Sequence, residues 1–307
     1  MKGYREKRDL HFALIPKVEH PWFDEVNKGA EAQARLLEEQ LGIKIKIEYM
    51  TPKTADINEQ NNILAKVAAA NTNGVAIDPL DNLLNMKAIV EIRNKGIPII
   101  VFDSPSPEPG ISSVGNNFTQ QGLVAAERLV RLIQGKGMVA VMQGFPSAPN
   151  HKERYDAQVA VLKKYPNITI VDGGVDNDDI TVAKQQAEIV LDSNRDLGGY
   201  LCCDAAGPIG IAAAIKEANK IGKVAVVGMD GIKPILDAIK EGIIESSVST
   251  IPRMQGSMSI LMLWQSTLGV QIPHMIDTGI DVITHENVDD FLILSSDSLI
   301  SDSQVPY

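Results

Sequence analysis

Short apolar runs rich in β-branched residues alternate with longer stretches of helical periodicity along nearly the whole 307-residue chain. Residues 11–16 (HFALIP) read as a strand. In 23–41, Val26, Ala30, Ala34 and Leu37 recur at the spacing of one helix face. The alternation continues with a strand at 43–50, a helix at 56–70, a strand at 74–78, a helix at 80–94 and a strand at 98–103. Asp56 stands where the second helix needs an N-cap, with Glu59 three residues on, the pattern of a capping box. The rhythm then restarts. Strands are predicted at 112–115, 138–143, 168–171, 199–203 and 224–229, with helices at 120–134, 153–165, 180–192, 208–221 and 233–241.

Strands that are apolar almost throughout, each followed by a helix, predict a mostly parallel sheet covered on both faces. Two such runs joined near 105–110 (PSPEPG) predict two similar doubly wound (Rossmann-like) α/β lobes. In open sheets of this kind ligands bind at the carboxyl ends of the strands. Here those ends are polar: Lys17 and His20 after the first strand, then Asp78, Asp103, Gln143, Asp204 and Asp230.

Composition narrows the function. Hydrophobic residues make up 44% and charged residues 22%, so either half can bury a core. The net charge of −10, with no long basic run, argues against a nucleic-acid or anionic-membrane partner. The two cysteines, Cys202 and Cys203, are adjacent and point to opposite faces of a strand, which reads as core packing rather than a cross-link. No apolar run is long enough to span a membrane. The start of the chain has no apolar signal-peptide core, so either the protein is cytoplasmic or an export signal has been removed.

No G-x-G-x-x-G, Walker A or G-x-S-x-G motif occurs, and the five histidines lack the pairing of a metal site. An enzyme is therefore disfavoured, and no cofactor or metal is implied. The positive signals each carry two readings. His20-Pro21-Trp22-Phe23 can staple the next helix, or its aromatics can stack on a sugar ring. Asp103 and Asp230 can cap turns, or accept charge-assisted hydrogen bonds from hydroxyls at about 1.5–3 kcal/mol each. Arg154 can be a surface helix residue, or a planar fork that binds sugar oxygens.

Taken together, FALIPKVEHPWF, GIPIIVFD, VGNN, VMQG with KERY, YLCCD, VVGMDG and IDTGIDVITHENVDDF resemble the ribose-binding-type periplasmic proteins, with the type I fold. The resemblance runs from about Phe12 to Phe291. It implies ligand contacts at Trp22 and Phe23 for the aromatic wall, and at His20, Asp103, Arg154, Asp204 and Asp230. Gln143, Asn117, Met229 and Thr250 join the same set. Where the family often places a second aromatic this chain has Asp178, and where ribose binders carry an arginine it has Ser104. The IPK segment is similar to that of binders of other polyhydroxy compounds, autoinducer-2-type ligands included, which adds Lys17.

The resemblance further implies chain crossings near 104–112, 250–252 and 279–283. One lobe would then be 10–108 plus 252–279 and the other 111–250 plus 282–292, with 293–307 as a tail, either an extra strand or a disordered appendage. The implied role is a periplasmic or extracellular solute-binding protein. It would capture a small sugar, polyol or cyclitol in the interlobe cleft by hinge closure and deliver it to an ABC transporter permease. The alternatives are a sensor that docks a chemoreceptor, a repressor effector domain and an enzyme. A repressor would need a helix-turn-helix ahead of Phe12, where eleven residues stand.

Overall fold

The computed structural model describes residues 9–70, 72–106 and 109–295. In chain order the first elements are β1 (Leu10–Ile15), α1 (Pro21–Leu41), β2 (Ile45–Tyr49), α2 (Ile57–Ala69), β3 (Gly74–Ile77), α3 (Asn82–Asn94), β4 (Ile99–Phe102) and β5 (Ser112–Gly115). Then follow α4 (Phe118–Leu132), β6 (Gly137–Gln143), α5 (Pro149–Leu162), β7 (Ile168–Val175), α6 (Ile180–Ser193), β8 (Leu197–Leu201), α7 (Ala206–Glu217) and β9 (Ala225–Met229). The chain continues through α8 (Lys233–Lys240), β10 (Ser246–Ser249), α9 (Pro252–Thr267), β11 (Met275–Asp277), β12 (Asp281–Thr284) and α10 (Val288–Ser295). Local chemistry explains several boundaries. Asp56 accepts from the backbone N–H groups of Asn58 and Glu59 at 2.7 and 3.1 Å, satisfying two of the donors a helix start leaves over. Asp81 does the same for α3 and Asp179 for α6.

The chain forms two compact units. Among the described residues, the first comprises those up to 117 with 147–150 and 251–279, and the second 118–146, 151–250 and those from 280 on. The first unit holds a six-stranded sheet in the order β11-β5-β4-β3-β1-β2, every pair parallel. One face of its strands, with Ala13, Ile15, Val75, Ile77 and Val101, packs against Ile63, Leu64 and Val67 of α2 and Ile89 and Ile92 of α3. Such two-sided burial explains why these strands read as continuous apolar runs.

The second unit repeats the plan, with the order β12-β10-β9-β8-β6-β7. All of its pairs are parallel except β10 with β12, which is antiparallel. Val139, Val141, Leu201, Val227 and Val248 form its core with Ala125, Ala126 and Leu129 of α4.

Two expectations need correction. Residues 112–115 belong to the first sheet, where β5 lies between β4 and β11, and not to the second lobe. The PSPEPG segment suggested a lobe boundary, yet it lies between β4 and β5, which pair in parallel within one sheet. The change of unit comes after Asn117. The strand β10 (SSVS) was not anticipated, because its serines give no apolar run. They are buried all the same, and Ser247 donates its hydroxyl to the Asp230 carbonyl at 2.6 Å. Of the expected tail, 293–295 belongs to α10, and the remainder lies outside the described residues.

The helices α1 and α9 of the first unit cross at two glycines. A Cβ on Gly29 would lie 1.9 Å from the Arg253 carbonyl oxygen, and one on Gly256 1.9 Å from that of Val26. Gly256→Ala should therefore force the helices apart and destabilise the protein by about 1–3 kcal/mol, measured by urea unfolding. Unaltered stability would show that this contact is not tight.

Candidate functional site

Both sheets change winding direction between their first and third strands, β1 and β3 in the first unit, β6 and β8 in the second. At such a switch point the adjacent loops diverge and leave a crevice at the strand carboxyl ends. The register brings the strand ends level: Ile15 pairs with Ile77, and Ile77 with Val101.

In the first unit the switch point is occupied by charge. Lys17 is only 1% exposed. Its ammonium lies 3.0 Å from Asp78 Oδ2, 3.9 Å from Asp103 Oδ2 and 3.2 Å from Asn150 Oδ1. Asn150 donates in turn to Asp103 Oδ2 at 2.7 Å, and Ser104 donates its hydroxyl to Asp78 Oδ1 at 2.6 Å. Asp103 adopts φ +48°, a left-handed conformation that Asp tolerates better than most residues. One cation thus serves two carboxylates at the ends of neighbouring strands, which holds acceptor groups in a place apolar packing would otherwise exclude.

His20 is the N-cap of α1 and accepts from the Trp22 N–H through Nδ1 at 3.1 Å. Trp22 and Phe23 are buried and meet edge to face at 5.1 Å, and Phe23 packs on Phe102 at 6.3 Å. The aromatic pair therefore fastens the first turn of α1 to the end of β4. Asn117 is exposed, whereas Asn116 beside it is buried. Asn116 donates to Thr278 and to the Gly279 carbonyl, and accepts from Gln255 at 2.8 Å.

In the second unit Arg154 is 2% exposed. It donates to Gln121 Oε1 at 2.6 Å and to the Cys203 carbonyl at 3.2 Å, and its guanidinium stands 4.9 Å over the Phe118 ring. Asp230 follows β9 as Asp103 follows β4, again left-handed with φ +67°. Its Oδ1 accepts from the Thr250 hydroxyl, and Met229 before it is fully buried in the core. Gln143 is half-buried at the end of β6, where its carbonyl accepts from the Asp176 N–H at 3.0 Å.

Asp204 follows β8 and accepts from the Gly207 N–H at 2.9 Å through Oδ1. Asp178 is buried with φ +61°, and its Oδ2 is 4.0 Å from His151 Nε2. His151 Nδ1 accepts the Phe145 N–H at 2.8 Å, so the neutral ring carries its proton on Nε2, facing Asp178. Burial pushes both thiols, Cys202 and Cys203, well above the usual range, so they remain neutral core groups.

Several residues of these networks lay outside the sequence-based set, among them Asp78, Asn116, Asn150, His151 and Asp176. Asp78 was visible as a polar strand end. Asn116 was one residue from the chosen amide. Asn150, His151 and Asp176 sit in segments without periodicity, and only tertiary folding brings them to the strand ends.

Two doubly wound, mostly parallel units of matching strand order, with buried charged and amide groups at their switch points, define a ligand-binding protein of the two-lobed α/β class. Residues 12–269 match the periplasmic binding protein domain, and the chain belongs to that family, which consists of substrate-binding transport proteins rather than enzymes. Among curated proteins it is similar to the D-allose-binding periplasmic protein of Escherichia coli strain K12. The two are 24% identical over 273 residues, which cover 85% of this chain and 86% of that protein. A solute-binding protein from Burkholderia graminis, solved in complex with D-arabinose, is 27% identical with a TM-score of 0.86. That likeness covers 92% of this chain and 98% of the other. AraP, an arabinose-binding protein from Geobacillus stearothermophilus, is 29% identical with a TM-score of 0.74, covering 92% and 99%.

Proposed function

We propose that this protein binds a small sugar or polyol through the polar strand ends of its two units and delivers it to an ABC-type permease, at the periplasmic or extracellular face of a membrane. The observation that carries the reading is the equivalence of Asp103 in the first unit and Asp230 in the second. Both are buried, left-handed carboxylates that end corresponding strands of the two units. A carboxylate fixed in this way accepts hydrogen bonds from two hydroxyls at once, which suits the vicinal hydroxyls of a sugar. The similar proteins named for D-allose and arabinose support that ligand class.

In this reading Asp103, Asp204, Asp230 and Arg154 hold hydroxyls, with Lys17, Ser104, Gln143 and Thr250 as further polar contacts. Trp22 and Phe23 offer the apolar wall, next to His20. Asp178 replaces a ring with an acceptor, which favours a ligand richer in hydroxyls on that side, such as an open-chain polyol or a cyclitol. No observation on this chain favours the receptor-docking alternative.

Calorimetric titration with pentoses, hexoses, polyols and cyclitols tests the proposal. One of them should bind saturably at one site per chain, and D-ribose should not be the tightest. Absence of binding across the panel would refute the sugar assignment, and ribose as the tightest ligand would refute the reading of Ser104 and Asp178.

A further inference from the structure

Asp176 and Asp204 are 0% and 1% exposed and meet at the second unit's switch point, after β7 and β8. Each carboxyl has one oxygen satisfied by backbone. Asp176 Oδ1 accepts the Asp178 N–H and Asp204 Oδ1 the Gly207 N–H, both at 2.9 Å. Among the described residues, no N–H or hydroxyl group donates to the Oδ2 atom of either. The two groups pack over one glycine: a Cβ on Gly207 would lie 3.0 Å from Asp204 Oδ1 and 3.3 Å from Asp176 Oδ2. Two buried carboxylates in contact repel each other when both are charged, and a shared proton removes that repulsion.

We propose that Asp176 is a positioning residue for the ligand site, a protonated carboxylic acid whose hydroxyl donates to Asp204 and fixes the direction in which that carboxylate accepts. The pair holds one proton and one negative charge. Asp204 is then anchored from two sides, by the Gly207 N–H and by the Asp176 proton, and each oxygen keeps a second lone pair for a ligand hydroxyl. Burial first, and then the neighbouring Asp204 charge, push Asp176 well above the usual carboxylate range, in agreement with the geometry. The other groups facing the pair are Asp178, the neutral Cys202 and Cys203 thiols and the Tyr200 phenol, which burial keeps protonated. His151 faces Asp204 across Gly144, and Arg154 is held on the Cys203 carbonyl.

This inference rests on Asp204 being a ligand contact, so its test has an arm without ligand. In carboxyl carbon-13 NMR of the wild-type protein, Asp176 should titrate well above the carboxylate range, a site-resolved signal that His151 cannot mimic. Folding stability should follow. A proton bound more tightly when folded stabilises fully below the ordinary carboxylate range, and the benefit falls away as pH rises toward the folded value. Asp176→Asn, whose amide donates to Asp204 at any pH, should remove that slope. In the second arm D-allose, D-arabinose, D-ribose, xylitol and myo-inositol are each titrated separately. For whichever binds the wild type, Asp176→Asn should retain affinity, and Asp176→Ala should lose about tenfold or more, the loss of one charge-assisted hydrogen bond.

A carboxyl signal in the ordinary range, or an alanine variant that binds like the asparagine one, would overturn the inference. If none of the five binds, the sugar reading fails, while the ligand-free arm still decides whether the proton is shared.

Discussion

Lys17→Met is expected to lower the free energy of unfolding by about 3–5 kcal/mol, the usual cost of removing one partner from a buried ion pair. The ammonium touches two carboxylates and an amide while only 1% exposed. Methionine fills the volume but leaves Asp78 and Asp103 facing each other without the cation. The carboxylates would then have to take up a proton or repel, so the loss should shrink as pH falls through the carboxylate range. Urea unfolding at two pH values measures it. Equal stability of variant and wild type would mean that the pair is held by other groups and that Lys17 is not its keystone.

The second large effect is on binding. Asp230→Ala should weaken ligand affinity by about 2–4 kcal/mol, since it removes an acceptor and strands the hydroxyls that donate to it. The variant also places alanine at φ +67°, which costs stability of its own, roughly 1–2 kcal/mol. Asp230→Asn is therefore the necessary companion, because Asn tolerates the left-handed region and keeps one acceptor oxygen. It should fold like the wild type and still bind more weakly. Unchanged calorimetric affinity in both variants would remove Asp230 from the site.

Most of the fold was legible in the residues, for a physical reason. Strands buried on both faces must be apolar throughout, and amphipathic helices must repeat every three to four residues, so β1, β3, β4, β6 and β9 and their helices announce themselves. β10 did not, because its serines are satisfied by tertiary hydrogen bonds rather than by a hydrophobic pattern. The boundary between units was misplaced for a related reason: a proline-rich turn looks alike whether it joins two strands of one sheet or two sheets.

The candidate site was legible to the extent that it follows strand ends. Asp103, Asp204 and Asp230 stand where apolar runs stop, so each could be named from position alone. What position cannot show is the company each keeps. That Lys17 neutralises two carboxylates depends on the order of strands in the sheet, and so does the meeting of Asp176 with Asp204. The same applies to His151, whose role as acceptor for the Phe145 N–H is invisible in a list of five scattered histidines.

A binding protein of this kind captures a small polyhydroxy ligand and does no chemistry on it. Native mass spectrometry of the freshly purified protein, followed by release and identification of what is bound, tests this most directly. One neutral sugar, polyol or cyclitol per chain should be found, recovered intact after denaturation. A nucleotide, a peptide or a metal ion in its place, or a sugar that the protein converts on incubation, would contradict it.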